Sequence, residues 1–168
     1  MSQREHNKYL CTLKDLHIAI EKILQQITLK HTGESCSKCD GRCCKEEICR
    51  ESIKSAFLRF ILGKEVVKYC DDTGWYMSGT GCQLKFGRPL ICYEYLCIGL
   101  RNKKLDEPVQ ISRKFTSIYS NVSEKKHILE IDDVSKIKFH KLKQIIDKLK
   151  TLKEEANDVL RCGGKNNC

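Results

Sequence analysis

The sequence predicts a mainly α-helical fold with an irregular, cysteine-rich, metal-binding segment, its long N- and C-terminal helices packed together. Three observations carry this expectation. Apolar residues near both ends of the chain recur at alternating steps of three and four, the spacing of one helical face. Twelve cysteines occur in 168 residues, nine of them between positions 36 and 97. Glycines at 63, 74, 79, 81 and 87 cut that middle stretch into short pieces. A chain of this length suits one compact domain. It divides into an N-terminal helix (7–30), a cysteine-rich core (36–97), a C-terminal helix (134–161) and a flexible tail (162–168).

In the first helix Leu13, Leu16, Ile20, Ile23 and Ile27 step 3, 4, 3, 4. His31-Thr32-Gly33 ends it, because glycine readily takes the left-handed conformation that closes a helix. A second helix is expected over 50–62, with Ile53, Phe57 and Ile61 four apart and Gly63 as its stop. From 68 to 87 the glycines punctuate short apolar pieces around Trp75 and Tyr76, a pattern of turns with room for one short hairpin. Residues 101–133 are ambiguous, and His127-Ile128-Leu129-Glu130-Ile131 is the strand candidate there. In the last helix Leu142, Ile145, Leu149, Leu152, Ala156 and Val159 step 3, 4, 3, 4, 3. Lys136, Lys138, Lys141, Lys143, Lys148, Lys150 and Lys153 mostly fall off that stripe and read as a solvated face. Apolar stripes must be covered. The two long helices are therefore expected to pack roughly antiparallel, with the cysteine-rich middle against one end of the pair. A homodimer, in which each stripe meets its copy, is the other way to cover them.

Composition narrows the function. Hydrophobic residues make up 40% and charged residues 32% of the chain, enough apolar material for a core. The start, Met1 to Lys8, is polar and carries no apolar leader. No stretch reaches the roughly 18 apolar residues of a membrane span. The expectation is a soluble, cytoplasmic protein with no membrane partner. The cytosol keeps thiols reduced, so its dense cysteines are better explained as metal ligands than as a disulfide framework. The formal charge is +9, with 16 basic against 10 acidic residues in 100–168. Eight metal-bound thiolates with two divalent ions would lower that total by about four, which weakens a nucleic-acid reading.

The first cysteine group is Cys36-Ser37-Lys38-Cys39-Asp40-Gly41-Arg42-Cys43-Cys44. A C-x-x-C turn places two sulfurs on one side, and Asp40-Gly41 is turn chemistry that frees backbone N–H groups to bond them. One isolated cysteine reads as a small buried hydrophobe, but four within nine polar residues do not. Adjacent side chains diverge, so Cys43 and Cys44 either serve different ions or divide into a ligand and a packing residue. The second group holds Cys82, Cys92 and Cys97, with Arg88-Pro89 between the first two. An arginine beside thiolates offsets their charge through hydrogen bonds. Phe86, Tyr93, Tyr95 and Trp75 suit a water-excluding shell or ordinary core packing equally.

These paired motifs, C-x-x-C-x-x-x-C-C followed by C, R-P-x-x-C and C-x(4)-C, resemble those of the YkgJ-type cysteine-cluster proteins, described as zinc- or iron-chelating domains. The resemblance covers residues 36 to about 97. It implies Cys36, Cys39, Cys43, Cys44, Cys82, Cys92 and Cys97 as metal ligands. Cys70 stands where many members have a further cysteine, although Asp71 replaces the proline that often follows it. Cys11, Cys49, Cys162 and Cys168 match nothing in the pattern. Flagellin lysine N-methylases share the cysteine motif, but they are much longer. The lone Gly79-Thr80-Gly81 is no nucleotide-binding loop, so methyl transfer is not carried over.

Zinc favours paired C-x-x-C knuckles, whereas iron–sulfur clusters favour denser runs with one distant cysteine. The run Cys36, Cys39, Cys43 tilts the expectation towards a [4Fe–4S] cluster over zinc. His17, His127 and His140 lack ligand-like placement and read as structural. The expected function is metal binding with a redox, metal-handling or sensing role. The alternatives are an iron–sulfur-dependent enzyme acting on a protein or small molecule, and a structural zinc site in an interaction module with a protein partner. Cys36, Cys39, Cys43, Cys92 and Cys97 are expected to converge on a common centre or a tight pair of centres.

Overall fold

The structure, a computed structural model, describes residues 3–32, 55–63, 77–78, 81–82, 84–94, 106–120 and 134–162. These residues are mainly helical. Helix α1 spans Gln3–Thr32, α2 Ala56–Leu62, α3 Ile91–Glu94, α4 Asp106–Ser120 and α5 Phe139–Cys162. A 3₁₀ turn at Val134–Lys136 precedes α5. Strands β1 (Met77–Ser78) and β2 (Gly81–Cys82) form a minimal antiparallel hairpin, with Met77 opposite Cys82.

Local chemistry accounts for the element ends. Glu5 lies in the first turn of α1, where a carboxylate complements the helix dipole. Ser55 caps α2 by accepting from the Leu58 N–H at 3.2 Å. Gly63 closes α2 at φ +65°, its N–H donating to the Arg59 carbonyl at 2.9 Å. Helix α4 arises inside the stretch whose pattern was ambiguous. Pro108 falls in its first turn, where a missing N–H costs little. Buried Ser112 and Thr116 donate their hydroxyls to the carbonyls four residues back, Pro108 and Ser112, at 3.0 and 3.1 Å.

The long stripes are buried within one chain, without a second copy. On α1 Leu13, Ile20, Ile23, Leu24 and Ile27 are buried, while Leu16 is half-buried. On α5 Leu142, Ile145, Ile146, Leu149, Leu152 and Ala156 are buried, with Val159 at the margin. Phe57, Leu58 and Ile61 of α2 and Ile111, Phe115, Ile118 and Tyr119 of α4 join the same core.

Two expectations are corrected. Helices α1 and α5 run parallel, not antiparallel. The Tyr9 ring meets the Phe139 ring edge-on at 4.8 Å near their starts, and Lys30 Nζ donates to the Leu160 carbonyl at 2.7 Å near their ends. Helix α4 supplies the antiparallel partner: Lys114 pairs with Glu155 at 2.6 Å, while Ser117 and Ile118 lie beside Asp147, Lys148 and Thr151. The last helix also does not run unbroken from 134. The chain breaks after the 3₁₀ turn, and the Ile137 carbonyl accepts from His6 Nε2 of α1 at 3.3 Å. A buried carbonyl released from a helix ladder needs such a donor. The expected strand at 127–131, the first part of the expected 50–62 helix and the 163–168 part of the tail lie outside the described residues.

Candidate functional site

Of the expected ligands, two fall within the described residues. Cys82 ends β2, and Cys92 is the second residue of α3, half-buried. Cys36, Cys39, Cys43, Cys44, Cys70 and Cys97 lie outside the described residues, as does the expected convergence of the two cysteine groups. Among the described residues no group of three or more His, Cys, Asp or Glu side chains is placed to hold a metal ion. Cys11 on α1 and Cys162 at the end of α5 are exposed.

The structure does show how the limb carrying Cys92 is held. Glu21 of α1 is fully buried. Its Oε2 accepts the Gly87 N–H at 2.7 Å, and its Oε1 accepts the Arg88 N–H at 2.9 Å and the Tyr93 hydroxyl at 2.6 Å. Gln25, one turn further along α1, donates to the Lys85 carbonyl at 2.8 Å and reaches the Tyr93 oxygen at 3.4 Å. Arg88 Nε donates to the Leu84 carbonyl at 2.8 Å, closing the loop on itself. Gly87 has φ +73°, and a Cβ there would lie 2.7 Å from Leu62 Cγ at the end of α2. Glycine is therefore required both by conformation and by this close approach. The Cys92 N–H donates to the Pro89 carbonyl at 2.9 Å, so Cys92 sits in the turn that Pro89 opens.

Behind Glu21 the polar chain continues inward. His17 Nε2 lies 3.5 Å from Glu21 Oε2, an electrostatic contact without a hydrogen bond. His17 Nδ1 is 2.8 Å from the Tyr119 hydroxyl of α4. The imidazole is walled by Phe57, Phe115 and Tyr119, with ring centroids 4.8–5.4 Å away. Burial lowers the His17 imidazole to about 3, so it is neutral at physiological pH. A carboxylate facing Nε2 favours the tautomer with its proton there, leaving Nδ1 to accept from Tyr119. Burial pushes the Glu21 carboxyl up, against the hydrogen bonds from Tyr93, Gly87 and Arg88 and the Arg88 charge. With three donors converging on its two oxygens, Glu21 acts as the acceptor that a carboxylate is. Burial and the Glu21 charge raise the Tyr93 and Tyr119 hydroxyls well above the ordinary tyrosine value, keeping both as O–H donors.

Sequence reasoning assigned His17 a structural place and did not single out Glu21. A signal was present. Leu13, His17, Ile20, Leu24 and Ile27 step 4, 3, 4, 3, so His17 stands at the centre of an apolar stripe with Glu21 one turn away. Two polar residues at that spacing inside a core stripe need partners from elsewhere in the fold.

No family model, curated protein or solved structure matches this chain. No helix among the described residues is long and apolar enough to cross a membrane.

Proposed function

We propose that this chain is a metal-binding protein that holds an iron–sulfur cluster, or zinc, through cysteine thiolates, with a redox, metal-handling or sensing role. The observation that carries this reading is the sequence run Cys36, Cys39, Cys43, Cys44, followed by Cys82, Arg88-Pro89, Cys92 and Cys97. Such thiol density in a reducing compartment is explained by metal ligation. The resemblance to the YkgJ-type cysteine-cluster proteins supports the same ligand set, with Cys70 as a further member. The anchored turn before Cys92 adds physical support: a ligand presented on rigid backbone loses little freedom when metal binds. In this reading the cysteine-rich segment closes against the helical bundle, in the cytoplasm, and the dense first group favours [4Fe–4S].

Anaerobic purification, a visible spectrum and analysis of iron, zinc and acid-labile sulfide test the proposal. The expected result is a brown protein with broad visible absorption and sulfide equimolar with iron. A colourless protein with stoichiometric zinc would overturn the iron–sulfur preference and keep the thiolate ligands. A reduced protein that takes up neither metal, alone or on reconstitution with iron and sulfide, would overturn the proposal itself.

A further inference from the structure

We propose that Glu21 is a positioning residue for the metal centre, fixing Cys92 by gripping the chain on both sides of it. The inference rests on the metal-binding reading and extends it to residues outside the cysteine motifs. Arg88 and Tyr93 bracket Cys92 in sequence, and both donate to Glu21 Oε1. Gly87 donates to Oε2, so one carboxylate holds two consecutive backbone amides and the hydroxyl beyond the cysteine. Between these anchors the chain has little slack. Pro89 fixes its own φ, its carbonyl accepts the Cys92 N–H, and the Leu90 carbonyl accepts the Tyr93 N–H at 3.0 Å.

Core packing alone does not ask for this arrangement. A buried carboxylate is costly unless its hydrogen bonds are met, and an apolar side chain of similar size would fill the same space. What a carboxylate adds is direction: it sets where the Gly87 and Arg88 amides lie along α1 and which way the Tyr93 ring points. Partners that orient a metal ligand in this way typically govern metal affinity, and their loss costs about 10–100-fold. Glu21 also faces His17, whose other nitrogen meets Tyr119. That side of the network ends on α4, whose Phe115 ring also meets the Tyr93 ring at 6.4 Å. Removing the Tyr119 hydroxyl alone keeps the rings and the three hydrogen bonds that Glu21 accepts from Gly87, Arg88 and Tyr93, which supplies an internal control.

The test is Co²⁺ titration of the full-length, reduced, metal-free chain, read by thiolate-to-cobalt charge transfer. Tyr93→Phe and Glu21→Gln should weaken Co²⁺ binding by about 10–100-fold and alter the charge-transfer band. Tyr119→Phe should leave both unchanged. Cys92→Ser should weaken binding, and adding Tyr93→Phe to it should weaken it no further, because both changes act through one ligand. If Glu21→Gln fails to fold, Tyr93→Phe, which keeps the ring, decides. Wild-type binding by Tyr93→Phe, or an equal loss in Tyr119→Phe, overturns the positioning role and leaves the metal reading standing. Where the wild type gives no thiolate-to-cobalt band but forms a cluster with iron and sulfide, the same variants are ranked by the cluster's visible absorption and the same result decides. Absence of both band and cluster in the wild type overturns both readings.

Discussion

Helix α1 meets α5 through apolar surface and the 84–94 limb through a buried carboxylate. Towards the core it offers Leu13, Ile20, Ile23, Leu24 and Ile27, in one cluster with Leu142, Ile145, Leu149 and Leu152. Towards the limb it offers Glu21 and Gln25, which between them bind Lys85, Gly87, Arg88 and Tyr93. Apolar burial is strong and nondirectional. It holds two helices together while leaving their relative direction to loops and end contacts, here Tyr9 with Phe139 and Lys30 with Leu160. A hydrogen-bonded carboxylate contributes less net stability but specifies a position. The long helices need only be adjacent, whereas the short, glycine-broken limb needs a fixed backbone.

The comparison makes Leu149→Ala the most damaging change. Leu149 is fully buried, and the substitution should cost about 2–5 kcal/mol in chemical denaturation, as core leucine truncations do. A smaller loss would mean that the α1–α5 seam repacks. Leu29 of α1 is 62% exposed, and truncating it should change stability by no more than about 0.5 kcal/mol.

Glu21→Leu asks whether the second seam is held by direction or by volume. The change keeps apolar bulk but leaves the Gly87 and Arg88 amides and the Tyr93 hydroxyl without their acceptor. A loss of about 1–3 kcal/mol is expected for stranding buried donors. A neutral or stabilising outcome, as seen when some buried charges are replaced by apolar residues, would show that packing alone suffices.

His17 adds a pH dependence. Its folded value of about 3 lies below the ordinary 6.5. From pH 6.5 downwards the unfolded chain therefore takes up a proton that the folded chain refuses. Stability should fall on acidification through that window, by up to about 1.4 kcal/mol per pH unit, with no such effect above it. Glu21 works in the opposite sense, because burial raises its folded value above 4.5: the folded chain binds that proton first and offsets part of the loss. Comparing the slope of stability between pH 6.5 and 5 in the wild type and in His17→Gln isolates the histidine. Equal slopes would show that the folded chain protonates His17 as readily as the unfolded chain does, against the burial argument.

A small effect is expected for the exposed ion pair at the α4–α5 surface. Lys114 and Glu155 are 2.6 Å apart, with side chains 56% and 40% exposed. Lys114→Ala should cost about 0.2–1 kcal/mol, and less at high salt. A larger loss would give that surface a role in stability beyond its charges.

Local pattern alone determined the two long helices and their buried faces. The stripe from Leu13 to Ile27 and that from Leu142 to Ala156 are legible because helical periodicity needs only neighbours three and four residues away. The helix ends at Thr32 and Gly63 and a short hairpin within 68–87 were legible from local glycine punctuation. In the candidate site the cysteine spacing is visible in the sequence, while the anchor of the Cys92 limb is not. Glu21 finds its partners 66 to 72 residues away, and nothing near it in sequence names them. Tertiary structure also decided α4, whose β-branched residues and buried Ser112 and Thr116 obscure its period. It decided the break at Ile137 as well, where His6 donates to a carbonyl 131 residues distant, and the parallel run of α1 and α5. A stripe says that a helix must be covered; which element covers it, and in which direction, follows from long-range contacts that burial makes favourable only once the chain has come together.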